Sequence, residues 1–390
     1  MRALSDIRAA ALRGLPPEVT VFLESGSGTE QTLRANREAF ARWVIRPRPV
    51  PGMEVPRTST EILGIPLAVP VMTAPFGGDG MYAADGHLAV ARANAACGTV
   101  SIVPELGTFS YEEIAAVAPA AARIAQLHPY ESFCHVAKRV RAAGYDALCV
   151  TVDCPMTGFR ARNKMNRFRP DRSLWAGNVT HEGAPSATRM FREGISAQAP
   201  PWTWDQLAEA TARQELPWIA KGILTKEAAA AALAAGASAI LVSNHGGRQV
   251  DPAPASLDAL PEVAAAVAGR APVLLDSGVR TGADVFVALA LGADAVVIGR
   301  LAAYGLAAAG EAGVRRVIEL LAEELRTLMI LAGAPDVGLI NNGTIARRRD
   351  GQVHDPVPGD DLRSRADGER QSRADESRPG RLDDVGGQGR

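Results

Sequence analysis

The sequence is short of several things, and each shortage removes a class of protein. It has no run of 18 apolar residues, so no segment reads as a membrane-spanning helix. It has no charge excess: 42 Lys and Arg stand against 43 Asp and Glu, a formal net charge of −1. Neither nucleic acid nor an anionic membrane surface is therefore expected as a partner. Aromatic residues are scarce at 5%, while alanine is abundant, which favours tightly packed helices. Cysteine is limited to Cys97, Cys134, Cys149 and Cys154, with no C-x-x-C spacing. Reduced thiols in a cytoplasmic protein, and no metal site, are expected. The first fifteen residues carry Arg2, Asp6, Arg8 and Arg13 and no apolar core region, so no secretory signal is expected there. What is present is ordinary globular material: 390 residues, 47% hydrophobic and 22% charged, enough for one large domain or two smaller ones.

Residues 1–60 read as an N-terminal arm, with helices from Ser5 to Leu12 and Thr29 to Trp43, then a proline-rich extended stretch from Arg46 to Pro56. From about residue 67 a regular alternation begins. Short apolar runs, each a candidate buried parallel strand, lie at Leu67–Thr73, Thr99–Val103, Arg123–Leu127 and Ala147–Val152. Four more lie at Trp218–Ala220, Ala239–Val242, Val273–Leu275 and Ala295–Ile298. Helical segments separate them, and a glycine precedes several strands, as in Ala143-Gly144-Tyr145-Asp146-Ala147 and Leu291-Gly292-Ala293-Asp294-Ala295. Eight strands alternating with helices fit a (β/α)₈ barrel over residues 61–345 better than an open doubly wound sheet. The interval after the fourth strand is irregular and polar. It reads as an inserted active-site loop over about 160–200. Residues 346–390, rich in Arg, Asp, Gly, Ser and Pro, read as a disordered tail.

Function in such a barrel sits where strands end. Those positions hold Thr73-Ala74-Pro75-Phe76-Gly77-Gly78, Gln126, Thr151-Val152-Asp153, Lys221-Gly222, Ser243-Asn244-His245, Asp276-Ser277-Gly278-Val279-Arg280 and Gly299-Arg300. His245 and Arg248, three residues apart on a glycine-bearing loop, pair a proton acceptor with a carboxylate grip. Alone they also read as a loop histidine and a surface arginine. Lys221 directly after an apolar strand also reads as a snorkelling lysine, and Asp153 as a helix cap. Glycine amides with Arg280 and Arg300 after strands seven and eight match the usual phosphate site of these barrels. Together these residues point to proton abstraction from a small acid beside a phosphate-bearing electron acceptor, with Asp153 orienting His245 and Arg160 assisting Arg248.

These motifs, in this order, resemble the FMN-dependent 2-hydroxy-acid oxidases and dehydrogenases: glycolate oxidase, lactate oxidase, mandelate dehydrogenase, and above all the hydroxymandelate oxidase branch. The resemblance spans about residues 4–340, and Ser243 to Asp251 matches the family's active-site signature. It implies FMN as cofactor, a small 2-hydroxy acid as substrate, O₂ or another electron acceptor, and a tetrameric homo-oligomer. By that resemblance His245 removes the hydroxyl proton and Asp153 steadies the resulting imidazolium, while Arg160 and Arg248 hold the substrate carboxylate. Lys221 would stabilise the anionic reduced flavin. Gln126, Thr151 and Ser243 would contact the isoalloxazine and ribityl groups, and Asp276 the ribityl hydroxyls. Ser277, Gly278, Arg280, Gly299 and Arg300 belong to the ribityl and phosphate end, and Ala74, Pro75, Phe76 and Gly77 pack on the ring.

Three departures stand out. Phe22 and His128 occupy positions where the family usually carries substrate-binding tyrosines, and Pro104-Glu105 replaces a serine often found after strand two. Phe22 makes the pocket more apolar, which favours an aryl or bulky substrate of the mandelate kind. His128 reads either as a replacement donor or as a pocket-wall histidine. The expected reaction is oxidation of an (S)-2-hydroxy acid to the 2-oxo acid with O₂. The alternatives are a specialised biosynthetic substrate that is not a simple hydroxy acid, or a dehydrogenase using another acceptor.

Overall fold

The structure, a computed structural model, describes residues 1–167, 169, 171–178, 202–349 and 352–354. The arm contributes α1 (Leu4–Gly14), α2 (Pro17–Glu24), α3 (Gln31–Ala41) and β1 (Trp43–Ile45). The second of these helices was not expected; Pro17 sits in its first turn, where a missing N–H costs nothing. A hairpin follows, β2 (Thr60–Ile62) and β3 (Ile65–Leu67). Then come the barrel strands β4 (Val71–Thr73), β5 (Ser101–Val103), β6 (Arg123–Leu127), β7 (Ala147–Thr151), β8 (Trp218–Ile223), β9 (Ala239–Val242), β10 (Val273–Leu275) and β11 (Ala295–Ile298). They run parallel and close on themselves, β11 pairing with β4. The fold is the (β/α)₈ barrel that the alternation implies.

The first expected strand, Leu67–Thr73, is in fact two pieces. Pro66 and Pro70 lack the N–H that a continuous ladder needs, and the chain turns between them. Leu67 thus belongs to the hairpin and Val71 to the barrel. The hairpin plugs the bottom of the barrel. Ile62, Ile65 and Leu67 pack with Met72, Ile102, Ile124, Ile219, Leu241 and Val297 of the interior, each nearly or wholly buried. Alternate strand residues, such as Val103, Val150, Val242 and Ile298, face the helices instead.

The glycines expected to close helices before strands, Gly144, Gly236 and Gly292, all adopt left-handed backbone. Thr225 and Thr281 cap the helices after β8 and β10 by accepting backbone N–H groups. The long helix Arg300–Ala332 breaks at Ala309 and Gly310, where the backbone leaves helical angles. After it, Ile345–Arg349 forms a strand antiparallel to β1, continued by Gln352–His354. These residues open the stretch expected as a disordered tail; 355–390 lies outside the described residues. Of the expected inserted loop, 179–201 also lies outside them. Among the described residues no helix is long and apolar enough to cross a membrane.

Candidate active site

The strand ends converge on one cavity of about 540 Å³. The end of β4 supplies Ala74, Pro75, Phe76 and Gly77, and β6 supplies Gln126 and His128. Thr151 ends β7, and Lys221 lies near the end of β8. The loop after β9 brings His245 and Arg248; those after β10 and β11 bring Asp276, Ser277, Gly278, Arg280, Gly299 and Arg300. Phe22 enters from the arm and Arg160 from the inserted loop. Asp153 and Ser243 stand just behind this lining. Asp153 Oδ1 lies 3.3 Å from His245 Nδ1, and Ser243 Oγ accepts from Lys221 Nζ at 3.2 Å and from the His245 amide at 3.1 Å.

The backbone explains why His245 faces the cavity. It adopts φ +58, a left-handed conformation uncommon for a residue with a side chain, and Gly246 and Gly247 continue it. On β8, Gly222 sits at φ +111 beside a register shift. A Cβ there would lie 2.5 Å from Asp153 Cβ, so the absence of a side chain lets Asp153 come close to His245.

Electrostatics separate the roles of these groups. Burial, and then the Lys221 charge, push the His245 imidazole below its ordinary range, although Asp153 opposes them. His245 is therefore an unprotonated acceptor at neutral pH. Burial works against the charge on Asp153, but His245 and Lys221 overcome it and hold the carboxyl below its usual value. Burial likewise opposes the charge on Lys221; Asp276, at 3.6 Å, and then Asp153 outweigh it and raise the ammonium.

The arginines are crowded. Burial, and then Arg160, push Arg248 down to about 9. Burial brings Arg280 and Arg300 down to about 10, Arg300 also feeling the Arg248 charge. Burial lowers Arg160 as well, and its Nε has no hydrogen-bond partner among the described residues. Such a set of buried cations fits anionic ligands: a phosphate group at the Arg280 end and a carboxylate near Arg160 and Arg248. Two of the arginines also brace the arm. Arg248 donates to the carbonyls of Phe22 and Ser25 and lies 4.7 Å over the Phe22 ring. Arg300 donates to the carbonyls of Leu23, Gly246 and Ser25 at 2.8–2.9 Å. That bracing was not expected from the strand-end pattern.

Other residues were missed altogether. Trp175 meets the edge of Phe22 and covers Gly77 and Gly78. Cys154 Sγ lies 3.4 Å from His245 Nδ1, and burial, then Asp153, raise its thiol well above the usual range. Glu105 is wholly buried and bonds His128. Its replacement of a serine was a visible signal; its partner was not.

A family model described as FMN-dependent dehydrogenase matches residues 11–347. The chain belongs to this family. It is 40% identical over 344 residues to the 4-hydroxymandelate oxidase of Amycolatopsis orientalis, covering 86% of this chain and 96% of that protein. It is 42% identical over 323 residues to an L-lactate oxidase of Nostoc, covering 79% and 88%. A crystal structure of mandelate oxidase superposes with a TM-score of 0.81 at 38% identity, covering 89% of this chain and 99% of that one. As a family member the chain is an FMN-dependent oxidoreductase acting on CH–OH groups, and its buried arginines, strand-end glycines and Lys221 fit a phosphate-bearing flavin.

Proposed function

We propose that this FMN-dependent enzyme oxidises an (S)-2-hydroxy acid with an aryl or bulky side chain to the 2-oxo acid, with O₂ as acceptor. FMN, when bound, supplies the hydride acceptor. Arg280, Gly278, Ser277, Gly299 and Arg300 hold its phosphate end, and Asp276, Ser243, Thr151 and Gln126 its ribityl and ring polar atoms. Ala74 to Gly77 pack on the ring, and the Lys221 ammonium compensates negative charge there. Arg160 and Arg248 take the substrate carboxylate. His245 takes the hydroxyl proton on Nε2, and Asp153, across Nδ1, steadies the resulting imidazolium.

The observation that carries this reading is the His245–Asp153 contact of 3.3 Å in a cavity crowded with buried arginines. Phe22 and Trp175 make one part of the wall aromatic, which suits an aryl side chain. Related proteins are named for mandelate, hydroxymandelate and lactate, and one solved mandelate oxidase, 38% identical, is described with benzoyl-formic acid. Mixing the FMN-bound protein with (S)-mandelate without oxygen should bleach the flavin. Air should then restore the colour with release of peroxide. An unbleached flavin refutes the substrate class, and restoration only by a dye refutes O₂ as acceptor. We further propose a cytoplasmic homo-oligomer, a tetramer by likeness to the family; light scattering of the purified protein tests the assembly.

A further inference from the structure

His245 Nδ1 has two close neighbours. Asp153 Oδ1 lies 3.3 Å away and Cys154 Sγ 3.4 Å away. A carboxylate oxygen, a thiol sulfur and an imidazole nitrogen thus lie within 4.8 Å of one another. Among the described residues this is the one group of three side chains so placed. Asp153 and Cys154 come from the chain just after β7, and His245 from the loop after β9, 91 residues on from Cys154. No local spacing in the chain announces the set.

Lengths decide what the set can hold. With bonds of about 2.3 Å to sulfur and about 2.0–2.1 Å to nitrogen and oxygen, a tetrahedral zinc centre has an S···N edge of about 3.6 Å and an N···O edge of about 3.3 Å. The observed 3.4 and 3.3 Å agree with those edges to about 0.2 Å. As a hydrogen bond, by contrast, 3.3 Å between nitrogen and oxygen is long. Asp153 Oδ2 is buried without a hydrogen-bond partner among the described residues, so the carboxylate keeps spare ligand capacity. Cys154 and His245 line the cavity, which gives an ion a way in and water a place at the fourth position.

The surroundings select the ion. Lys221 and Arg160 act on Cys154 as positive charges, which disfavours a hard cation held by charge alone. A thiolate with an imidazole suits a softer ion. Burial, then Asp153, keep the proton on Cys154, so the ion must displace it, as coordinating metals do.

We propose that Asp153, Cys154 and His245 form an inhibitory site for Zn²⁺ or a similar thiophilic divalent cation. Its inhibitory effect rests on the function proposed above. An ion on Nδ1 takes the lone pair of that nitrogen and leaves the ring proton on Nε2. Nε2 then has nothing with which to accept the substrate hydroxyl proton, and Asp153 is turned from the imidazole to the ion. The arginines that take the substrate carboxylate are not among the ligands.

The test uses the FMN-bound enzyme, freed of metal and titrated with ZnCl₂. Equilibrium dialysis should find one tightly held Zn²⁺ per chain. Anaerobic flavin reduction by (S)-mandelate should slow at saturation by about 10²–10⁴-fold, the usual contribution of a general base, and recover on adding EDTA. MgCl₂ at the same concentration should change nothing. Cys154→Ala should weaken zinc binding at least about tenfold, since losing even an outer partner of a metal ligand costs about 10–100-fold. Its reduction rate, taken against its own metal-free value, should resist zinc by the same factor.

A wild type that binds no zinc, equal inhibition by MgCl₂, or inhibition of Cys154→Ala at the wild-type zinc concentration overturns the proposal. If Cys154→Ala does not retain flavin, X-ray absorption at the zinc edge of the loaded wild type carries the test. A sulfur neighbour at about 2.3 Å supports the site, and a shell of nitrogen and oxygen alone overturns it. Binding and inhibition are separate readouts. Zinc held through Cys154 in an enzyme that no hydroxy acid reduces would sink the function and leave the site standing. Zinc held there without slowing reduction would sink the inhibitory role.

Discussion

Gly222→Ala tests the whole geometric argument with one methyl group. A Cβ at this position would lie 2.5 Å from Asp153 Cβ, 2.7 Å from its Cγ and 2.9 Å from its backbone N. Carbon atoms settle at about 3.5–4.0 Å, so Asp153 or the strand must yield by roughly 1 Å. The His245–Asp153 contact, at 3.3 Å, already sits at the long end of a hydrogen bond. A further ångström ends it. Misplacement on that scale costs about 10²-fold in a catalytic step, so the rate of flavin reduction should fall by about that factor. The backbone at φ +111 adds a cost of about 1–2 kcal/mol for a residue bearing a Cβ, so Tm should drop as well. The assay is anaerobic stopped-flow reduction by (S)-mandelate, with the flavin-to-protein ratio measured on the same sample. Asp153→Asn is the companion. It keeps the volume and removes the charge, and the double variant should be slower than Asp153→Asn by no more than about threefold. A Gly222→Ala enzyme with full flavin and the wild-type rate would refute the claim that this glycine exists to admit Asp153.

Three further outcomes follow from the same structure. His245 is active as the unprotonated base, and burial with Lys221 lowers its pKa, so flavin reduction should hold steady as pH falls through the ordinary imidazole value of 6.5 and fail only below it. A pH–rate profile with its half-loss at or above 6.5 would contradict this assignment. Arg300→Lys keeps a charge but loses the fork to three carbonyls, so the arm should loosen at a cost of roughly 3 kcal/mol. Denaturant unfolding and limited proteolysis near Ser25 would register it, and an unchanged cleavage rate would deny the brace. Ile62→Ala empties part of the barrel plug and should cost about 2–4 kcal/mol of stability while leaving the reduction rate within about twofold.

The sequence showed the barrel because its signals are periodic. Buried parallel strands are mostly apolar, and a polar residue at or near the end of one is conspicuous for that reason. Thr151, Lys221, Ser243 and Asp276 were legible in this way, and the phosphate-end arginines followed from their place after the last two strands. Features set by spatial pairing were not legible. Nothing local to Glu105 names His128, 23 residues on, as its partner. Nothing local to Arg300 says that carbonyls 275 and 277 residues earlier will take its N–H groups. The split of the first strand was readable from Pro66 and Pro70, but an apolar run masked it. Trp175 lies in a polar stretch without period, where sequence offers no face to assign.

The brace at Arg300 has a consequence for how the protein is made. Its partners Leu23 and Ser25 are synthesised 277 and 275 residues before it, and β1 finds Ile345–Arg349 later still. Helices of 8–11 residues, the lengths in this arm, do not hold alone in water. The Arg300 brace must therefore wait for 277 residues of further synthesis, about 14–55 s at ~5–20 residues per second. Within that interval Phe22 already has Trp175 and Arg248 to meet, but Leu23 and Ser25 lack their Arg300 donor. The arm at the mouth of the pocket is thus translated before the barrel but fully braced only after β11 and Arg300 have emerged.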